Sequence, residues 1–307
     1  MMIINPYDYS ATSGDGWVNP SLENSNLARY QVEFPSALQT PLLGKTRVVG
    51  EYLFPKKRPK APLVIILHGM GDSSILPCRW IANSLAKKGI ASLILFLVLH
   101  KRRIPAAIKD KYPRLSPEEW FESYQISVTD ARQAIDWSST RSEIIQDKIA
   151  ILGISFGGFI AGIAMGLDLR FKAGVFIEAA GNSDKITRHS LLLRHQYKLG
   201  RDEYERNQKL YESYLKEVAA KGFGSVTAEK ISYLTDPKTF ALSTRTRPVL
   251  MLNALLDELI PRAAVLDLWE AYGRPALSWY PATHATIWMW YPFMSPKISG
   301  FLEPVLL

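Results

Sequence analysis

The sequence predicts an α/β fold, a mostly parallel sheet with helices on both faces. Three observations carry this. Residues 63–67, 90–99, 148–153, 171–177 and 249–252 are short, nearly continuous apolar runs. Longer amphipathic stretches alternate with them. Several of those stretches carry helix start or stop residues at their ends. Strands that are apolar on both faces and separated by helices belong to a parallel sheet covered on both sides.

The elements follow in chain order. Residues 29–34 and 47–54 are more polar and read as a leading antiparallel hairpin. Residues 63–67 form a buried strand ended by His68-Gly-Met-Gly71. A helix over 80–88 stops at Gly89, and 90–99 is the next strand. Ser116-Pro-Glu-Glu119 starts a long helix reaching about residue 138: Ser116 caps, Pro117 suits the first turn, and Glu119 closes a capping box. A strand over 148–153 leads into a helix over 157–167, and 171–177 and 249–252 are further strands. A helix over 261–272 and a strand over 276–280 complete the pattern.

Residues 182–243 break the alternation. They are rich in charge and tyrosine and contain no strand pattern. Tyr204, Tyr211, Tyr214, Leu215 and Val218 share one face at helical spacing. The expected organisation is therefore a catalytic α/β domain (1–181 and 244–307) carrying a helical cap insertion (182–243), the tyrosines packing against the main domain or, for some of them, lining a substrate pocket.

With 47% hydrophobic and 21% charged residues, the 307-residue chain has the composition of an ordered globular protein. The single cysteine, Cys78, excludes an intramolecular disulfide and any multi-cysteine metal centre. The N-terminus lacks the basic start and apolar core of a signal peptide, and the longest apolar run is far too short to span a bilayer. A cytoplasmic protein is expected. The net charge of +8 is scattered in loop clusters (56–58, 101–103, Arg245 with Arg247) without a nucleic-acid motif, so it reads as solvated surface.

Gly153-Ile-Ser-Phe-Gly157 carries the chemistry. It follows a buried strand and opens a helix rich in small residues. A strand-to-helix turn this tight strains the serine backbone and needs side-chain-free neighbours, which Gly153 and Gly157 supply. Ser155 then projects at the carboxyl edge of the sheet.

A serine nucleophile needs a base, and the base needs an orienting acid. Of five histidines, His284 stands just after the last strand, at the same edge as Ser155. His68 reads as a structural residue holding its loop, His100 sits in a basic loop, and His189 and His195 fall in the insertion. Asp257 follows the 249–252 strand and is the first candidate acid; Glu178, after 171–177, and Glu258 are rivals. The oxyanion donors are expected to be the backbone N–H groups of Phe156 and Met70, with Gly69 as an alternative. Phe156 and Trp288 are candidate substrate contacts, the latter in an aromatic group with Trp279, Tyr280, Trp290 and Tyr291.

On His68-Gly-Met-Gly71, Asp130-Ala-Arg-Gln-Ala-Ile-Asp-Trp137, Gly153-Ile-Ser-Phe-Gly-Gly158, Asp236-Pro237, Asp257-Glu-Leu-Ile-Pro261 and Tyr280-Pro-Ala-Thr-His284, the chain resembles the α/β-hydrolase superfamily over about residues 45–305. It most resembles the serine-esterase, dienelactone-hydrolase-like branch with acetyl-xylan-esterase-like and prolyl-oligopeptidase-like members. The resemblance implies a central eight-stranded sheet and carries the triad roles onto Ser155, Asp257 and His284. It departs from the family at Glu178, where small residues are frequent.

The expected function is a carboxylesterase acting on a small-molecule ester, with no cofactor, metal, nucleic acid or membrane partner. A peptidase or acyltransferase is the alternative within the same chemistry. A non-catalytic binding protein is the alternative outside it. Serine chemistry needs no metal, no His/Asp/Glu cluster has metal spacing, and no P-loop or dinucleotide fingerprint is present. Dehalogenase and epoxide-hydrolase chemistry would need aspartate where Ser155 stands.

Overall fold

In the computed structural model the described residues are 5–11, 16–23, 26–41, 43–70, 75–104, 106–109 and 114–307. The strands are β1 (Trp17–Glu23), β2 (Leu27–Pro35), β3 (Arg47–Pro55), β4 (Ala61–Leu67), β5 (Ala91–Phe96), β6 (Ile144–Ile154), β7 (Phe171–Ile177), β8 (Val249–Ala254) and β9 (Ala276–Tyr280). They form one sheet in the order β1-β2-β3-β5-β4-β6-β7-β8-β9. β1, β2, β3 and β5 pair antiparallel, and β5, β4, β6, β7, β8 and β9 pair parallel.

The sheet thus has nine strands, not eight. All eight predicted strands are present, and β1 is the addition. Its sequence, WVNPSLE, lacks alternation and contains Pro20, which a ladder position inside a sheet does not tolerate. β1 is an edge strand paired only to β2, and its register shifts between Pro20 and Leu22, so the missing N–H is accommodated.

The helices are α1 (Leu76–Lys87), α2 (Ala106–Lys109), α3 (Pro117–Ser139), α4 (Phe156–Leu167), α5 (Ser183–His189), α6 (Arg194–Tyr197), α7 (Arg201–Lys221), α8 (Ile231–Leu234), α9 (Ala241–Thr244), α10 (Arg262–Ala271) and α11 (Tyr291–Leu306). Successive strand side chains point to opposite faces. In β4, Leu63, Ile65 and Leu67 accordingly join one core with Ala131 and Ile135 of α3, Ile160 of α4 and Leu268 of α10. Val64 and Ile66 join the other with Ile81 and Leu85 of α1 and Ile298 and Leu302 of α11. The capping box of α3 forms: Ser116 Oγ accepts from the Glu119 N–H at 3.2 Å, and Glu119 Oε2 accepts from the Ser116 N–H at 2.8 Å. No helix of the described residues is long and apolar enough to cross a membrane.

Between β7 and β8 the regular elements are all helices, from α5 to α9, joined by turns and irregular loops. Its tyrosines do not mainly pack against the sheet domain. Tyr211, Tyr214 and Val218 form a cluster of their own with Val226 and Tyr233, the Tyr211 and Tyr233 rings lying 4.7 Å apart. The segment is anchored at its ends instead. Buried Asp236 accepts backbone N–H bonds from Asn182 (2.6 Å), Ser183 (3.1 Å) and Lys238 (2.9 Å), joining entry to exit. Burial pushes its carboxyl up to about 6.

Two basic residues expected at the surface point inward. Arg103 donates to the Phe96 carbonyl (2.6 Å) and to Asp130 Oδ2 (2.8 Å), and both members of this ion pair are no more than 2% exposed. Arg247 donates to the carbonyls of Asp168, Phe171 and Met165. The bare carbonyls that follow strand and helix ends need donors, and a guanidinium supplies several at once.

Removing one member of a buried pair strands the other. Asp130 also accepts from the Ser36 hydroxyl at 2.6 Å. We predict that Asp130→Ala lowers the urea unfolding free energy by about 3–5 kcal/mol. Arg47→Ala, which breaks an exposed pair with Glu33, is predicted to change it by no more than about 0.5 kcal/mol.

Candidate active site

β6 ends at Ile154 and α4 begins at Phe156, so Ser155 alone makes the turn, at φ +50° and ψ −118°. Few non-glycine residues adopt a positive φ. Close packing fixes this one. A Cβ on Gly153 would lie 2.0 Å from the Gly157 carbonyl oxygen, and one on Gly157 would lie 2.4 Å from that of Leu67. The turn is held by the Ser155 N–H donating to the Ile177 carbonyl (2.8 Å) and the Gly158 N–H donating to the Ser155 carbonyl (2.7 Å).

Ser155 Oγ lies 3.0 Å from His284 Nε2, and His284 Nδ1 lies 2.9 Å from Asp257 Oδ2. The three residues come from the turn after β6, the loop after β8 and the loop after β9. The last two loops run side by side because the ladder continues past the strands: the Leu255 N–H donates to the Tyr280 carbonyl (2.8 Å), and that of Leu256 to Ala282 (3.0 Å). Asp257 Oδ1 accepts from the N–H groups of Leu259 (2.9 Å) and Ile260 (2.7 Å), which aims Oδ2 at the imidazole. With a carboxylate on Nδ1, that nitrogen carries the proton and Nε2 is left as an acceptor facing the serine hydroxyl.

Both rival acids are also at the histidine. Glu178 follows β7 at φ +53°, is 2% exposed, and places Oε1 3.6 Å from Nδ1. Glu258 Oε2 accepts the His284 backbone N–H at 3.1 Å, a positioning contact that spacing alone did not indicate. The Glu258 carbonyl accepts from Leu191 (3.0 Å) and Leu192 (3.3 Å), so the helical segment leans on the acid loop. Among the described residues, Glu178, Asp257 and His284 are the one group of such side chains close enough to share a cation, their ligand atoms lying within 4.8 Å. The Nδ1 that would ligate it already faces Asp257.

The other predicted residues fall as follows. Met70 is 43% exposed in the loop after β4, and Gly71 of the same motif lies outside the described residues. The backbone N–H of Phe156 opens α4. Its ring is only 5% exposed and packs on Tyr124 (5.2 Å) and Trp120 (5.9 Å), so its side chain belongs to the core. Trp288 is 47% exposed and meets Trp80 at 6.3 Å, a neighbour the sequence did not suggest. Tyr291 is buried, whereas Trp279, Tyr280 and Trp290 are half-buried. His189 packs on Tyr204 and His195 meets Arg194, each within the helical segment.

His68 holds the loop. Its Nε2 accepts the Leu97 N–H at 3.0 Å, and its Nδ1 donates to the Gly69 carbonyl at 2.6 Å. Burial pulls its pKa from 6.5 down to about 4.

Comparison with known proteins agrees with this architecture. The prolyl oligopeptidase family model matches residues 120–263. An uncharacterized protein of Mycobacterium tuberculosis is 24% identical over 182 residues, which cover 59% of this chain but only 37% of that protein. Acetyl xylan esterase from Paenibacillus sp. R4 superposes with a TM-score of 0.64 at 19% identity, covering 95% of this chain and 89% of that one. Acetyl xylan esterase 1 from Thermoanaerobacterium sp. JW/SL YS485 gives 0.67 at 15% identity, covering 97% and 90%.

Two predictions follow from the loop geometry. Gly157→Ala drives a Cβ against backbone on the neighbouring strand end; we expect loss of soluble folded protein, read by circular dichroism. The depressed pKa of His68 means the folded state favours neutral imidazole. The stability this contributes is full above about pH 6.5 and is lost as the pH falls towards 4. The loss amounts to about 3 kcal/mol. His68→Gln lacks it, so the gap in unfolding free energy between wild type and variant should narrow by about that amount across the window. The nine-stranded sheet of the described residues, the turn at Ser155 and the superpositions on the two acetyl xylan esterases together give the chain the α/β-hydrolase fold.

Proposed function

We propose that this chain is a serine hydrolase that cleaves carboxylic esters through an acyl-enzyme on Ser155. The observation that carries the reading is the continuous relay from Ser155 Oγ through His284 to Asp257, at 3.0 and 2.9 Å, mounted on a strained turn. His284 Nε2 takes the serine proton as Oγ attacks the ester carbonyl. The tetrahedral oxyanion is held by the backbone N–H groups of Phe156 and Met70. The proton passes from Nε2 to the leaving alkoxide, which departs as the alcohol. Water, activated by the same nitrogen, then releases the acid and restores the serine. Asp257 holds the tautomer and balances the imidazolium. No step calls for a cofactor.

The reading extends to substrate class. Residues 182–243 act as a cap, since Leu191 and Leu192 hang from the acid loop with 57% and 58% of their surfaces exposed. Leu255, Leu256 and Trp288 are likewise exposed beside the acid and histidine loops. An apolar rim of this kind suits a small-molecule ester with an alkyl or aryl group. Esters are favoured over peptides because the acetyl xylan esterases match nearly the whole chain, whereas the prolyl oligopeptidase match ends before His284.

The test is a panel of p-nitrophenyl esters of increasing acyl length beside p-nitroanilides. Turnover of esters in preference to anilides is expected, with Ser155→Ala lowering kcat by roughly 10⁴-fold or more. Equal activity in wild type and Ser155→Ala contradicts the serine mechanism. Faster anilide turnover selects the peptidase reading instead.

A further inference from the structure

We propose that Glu178 is a second, positioning acid for His284, so that two carboxylates rather than one stabilise the imidazolium formed in the reaction. This rests on the serine-hydrolase reading above. The carboxylate is almost completely buried, at 2% exposure, and Oε1 lies 3.6 Å from His284 Nδ1 on the side away from the serine. A buried carboxylate is costly unless a cation or hydrogen bonds compensate it. The backbone here is also strained, at φ +53°. This buried residue on a left-handed backbone faces the proposed base.

The strand register puts it there. The Ser155 N–H bonds to the carbonyl of Ile177, the residue before Glu178, and the Glu178 N–H bonds to the Leu252 carbonyl at 2.9 Å. The serine turn, Glu178 and the acid loop therefore stand on three adjacent strand ends.

The two acids differ in how they act. Asp257, at 2.9 Å, makes the hydrogen bond that selects the tautomer. Glu178, at 3.6 Å, is too far for a good hydrogen bond but close enough for a strong charge interaction in a site shielded from water. As Nε2 takes the serine proton, a positive charge appears on the ring beside both acids, and each attracts it. The interaction thus strengthens on the way to the transition state, so it acts on kcat rather than on substrate binding. With Asp257 neutralised, Glu178 is the acid left beside Nδ1, so its share of the stabilisation grows.

A double-mutant cycle in ester hydrolysis tests this, with Glu178→Gln, Asp257→Asn and the pair. We expect Glu178→Gln alone to lower kcat by roughly ten-fold with KM nearly unchanged, and its cost to be at least roughly ten-fold greater in the Asp257→Asn background. A merely structural carboxylate would give the same factor in both backgrounds, or a changed melting temperature with kcat intact; either result overturns the proposal. Glu178→Asp keeps the charge and replaces the Gln variant in the cycle should the latter not fold. Ser155→Ala in the same assay separates the two levels. Activity retained there overturns the serine mechanism and this proposal with it. Activity lost there, together with a multiplicative cycle, overturns the role of Glu178 alone.

Discussion

The constraint on which the site depends is the one-residue reversal between β6 and α4. Ser155 can occupy φ +50° only because Gly153, Gly157 and Gly158 leave no side chain between the turn, the Leu67 and His68 carbonyls, and Ala179. Such a backbone costs on the order of 1–3 kcal/mol and persists only where its surroundings over-determine it. Here they do: Ser155 and Gly158 are each held by backbone hydrogen bonds, and β6 is paired on one side by fully buried β4 and on the other by β7, buried except at Lys172. The hydroxyl is thereby fixed on the sheet rather than on a loop, and its partners can be supplied by loops from strands further along the same edge.

Those loops are rigid for an equally local reason. The ladder between β8 and β9 runs on through Leu255 and Leu256, so the acid loop is braced against the histidine loop before either turns away. Asp257 uses one oxygen to cap its own turn and the other to hold the imidazole. Glu258 spends its carboxylate on the His284 backbone and its carbonyl on the helical segment. A change in that segment would therefore be felt at the histidine through one residue.

The buried strands and the serine turn were legible in the sequence because each rests on a strong local signal. Continuous apolar runs mark parallel strands, and glycines at 153 and 157 mark a turn no Cβ would fit. Strand ends were less legible: β6 starts four residues earlier than its apolar core, since Ile144 pairs with Ala61 ahead of a register shift. β1 was not legible, because an edge strand carrying Pro20 has neither alternation nor an apolar run. The placement of Asp257 and His284 at the same sheet edge as Ser155 was legible from their positions after strands. What spacing could not supply was the division of labour at the imidazole, where Asp257, Glu178 and Glu258 all contact His284 and differ only in atom and distance. Nor could it tell that Arg103 and Arg247 turn inward, since their loops look alike in sequence.

The most direct test of an activated serine is covalent. Incubation of the folded protein with a fluorophosphonate, followed by digestion and mass spectrometry, locates the residue whose oxygen has displaced fluoride from phosphorus. A single phosphonyl adduct on the peptide bearing Ser155, absent from His284→Ala treated alike, is the predicted result. A folded protein that remains unlabelled, or that carries the adduct on another residue, contradicts it.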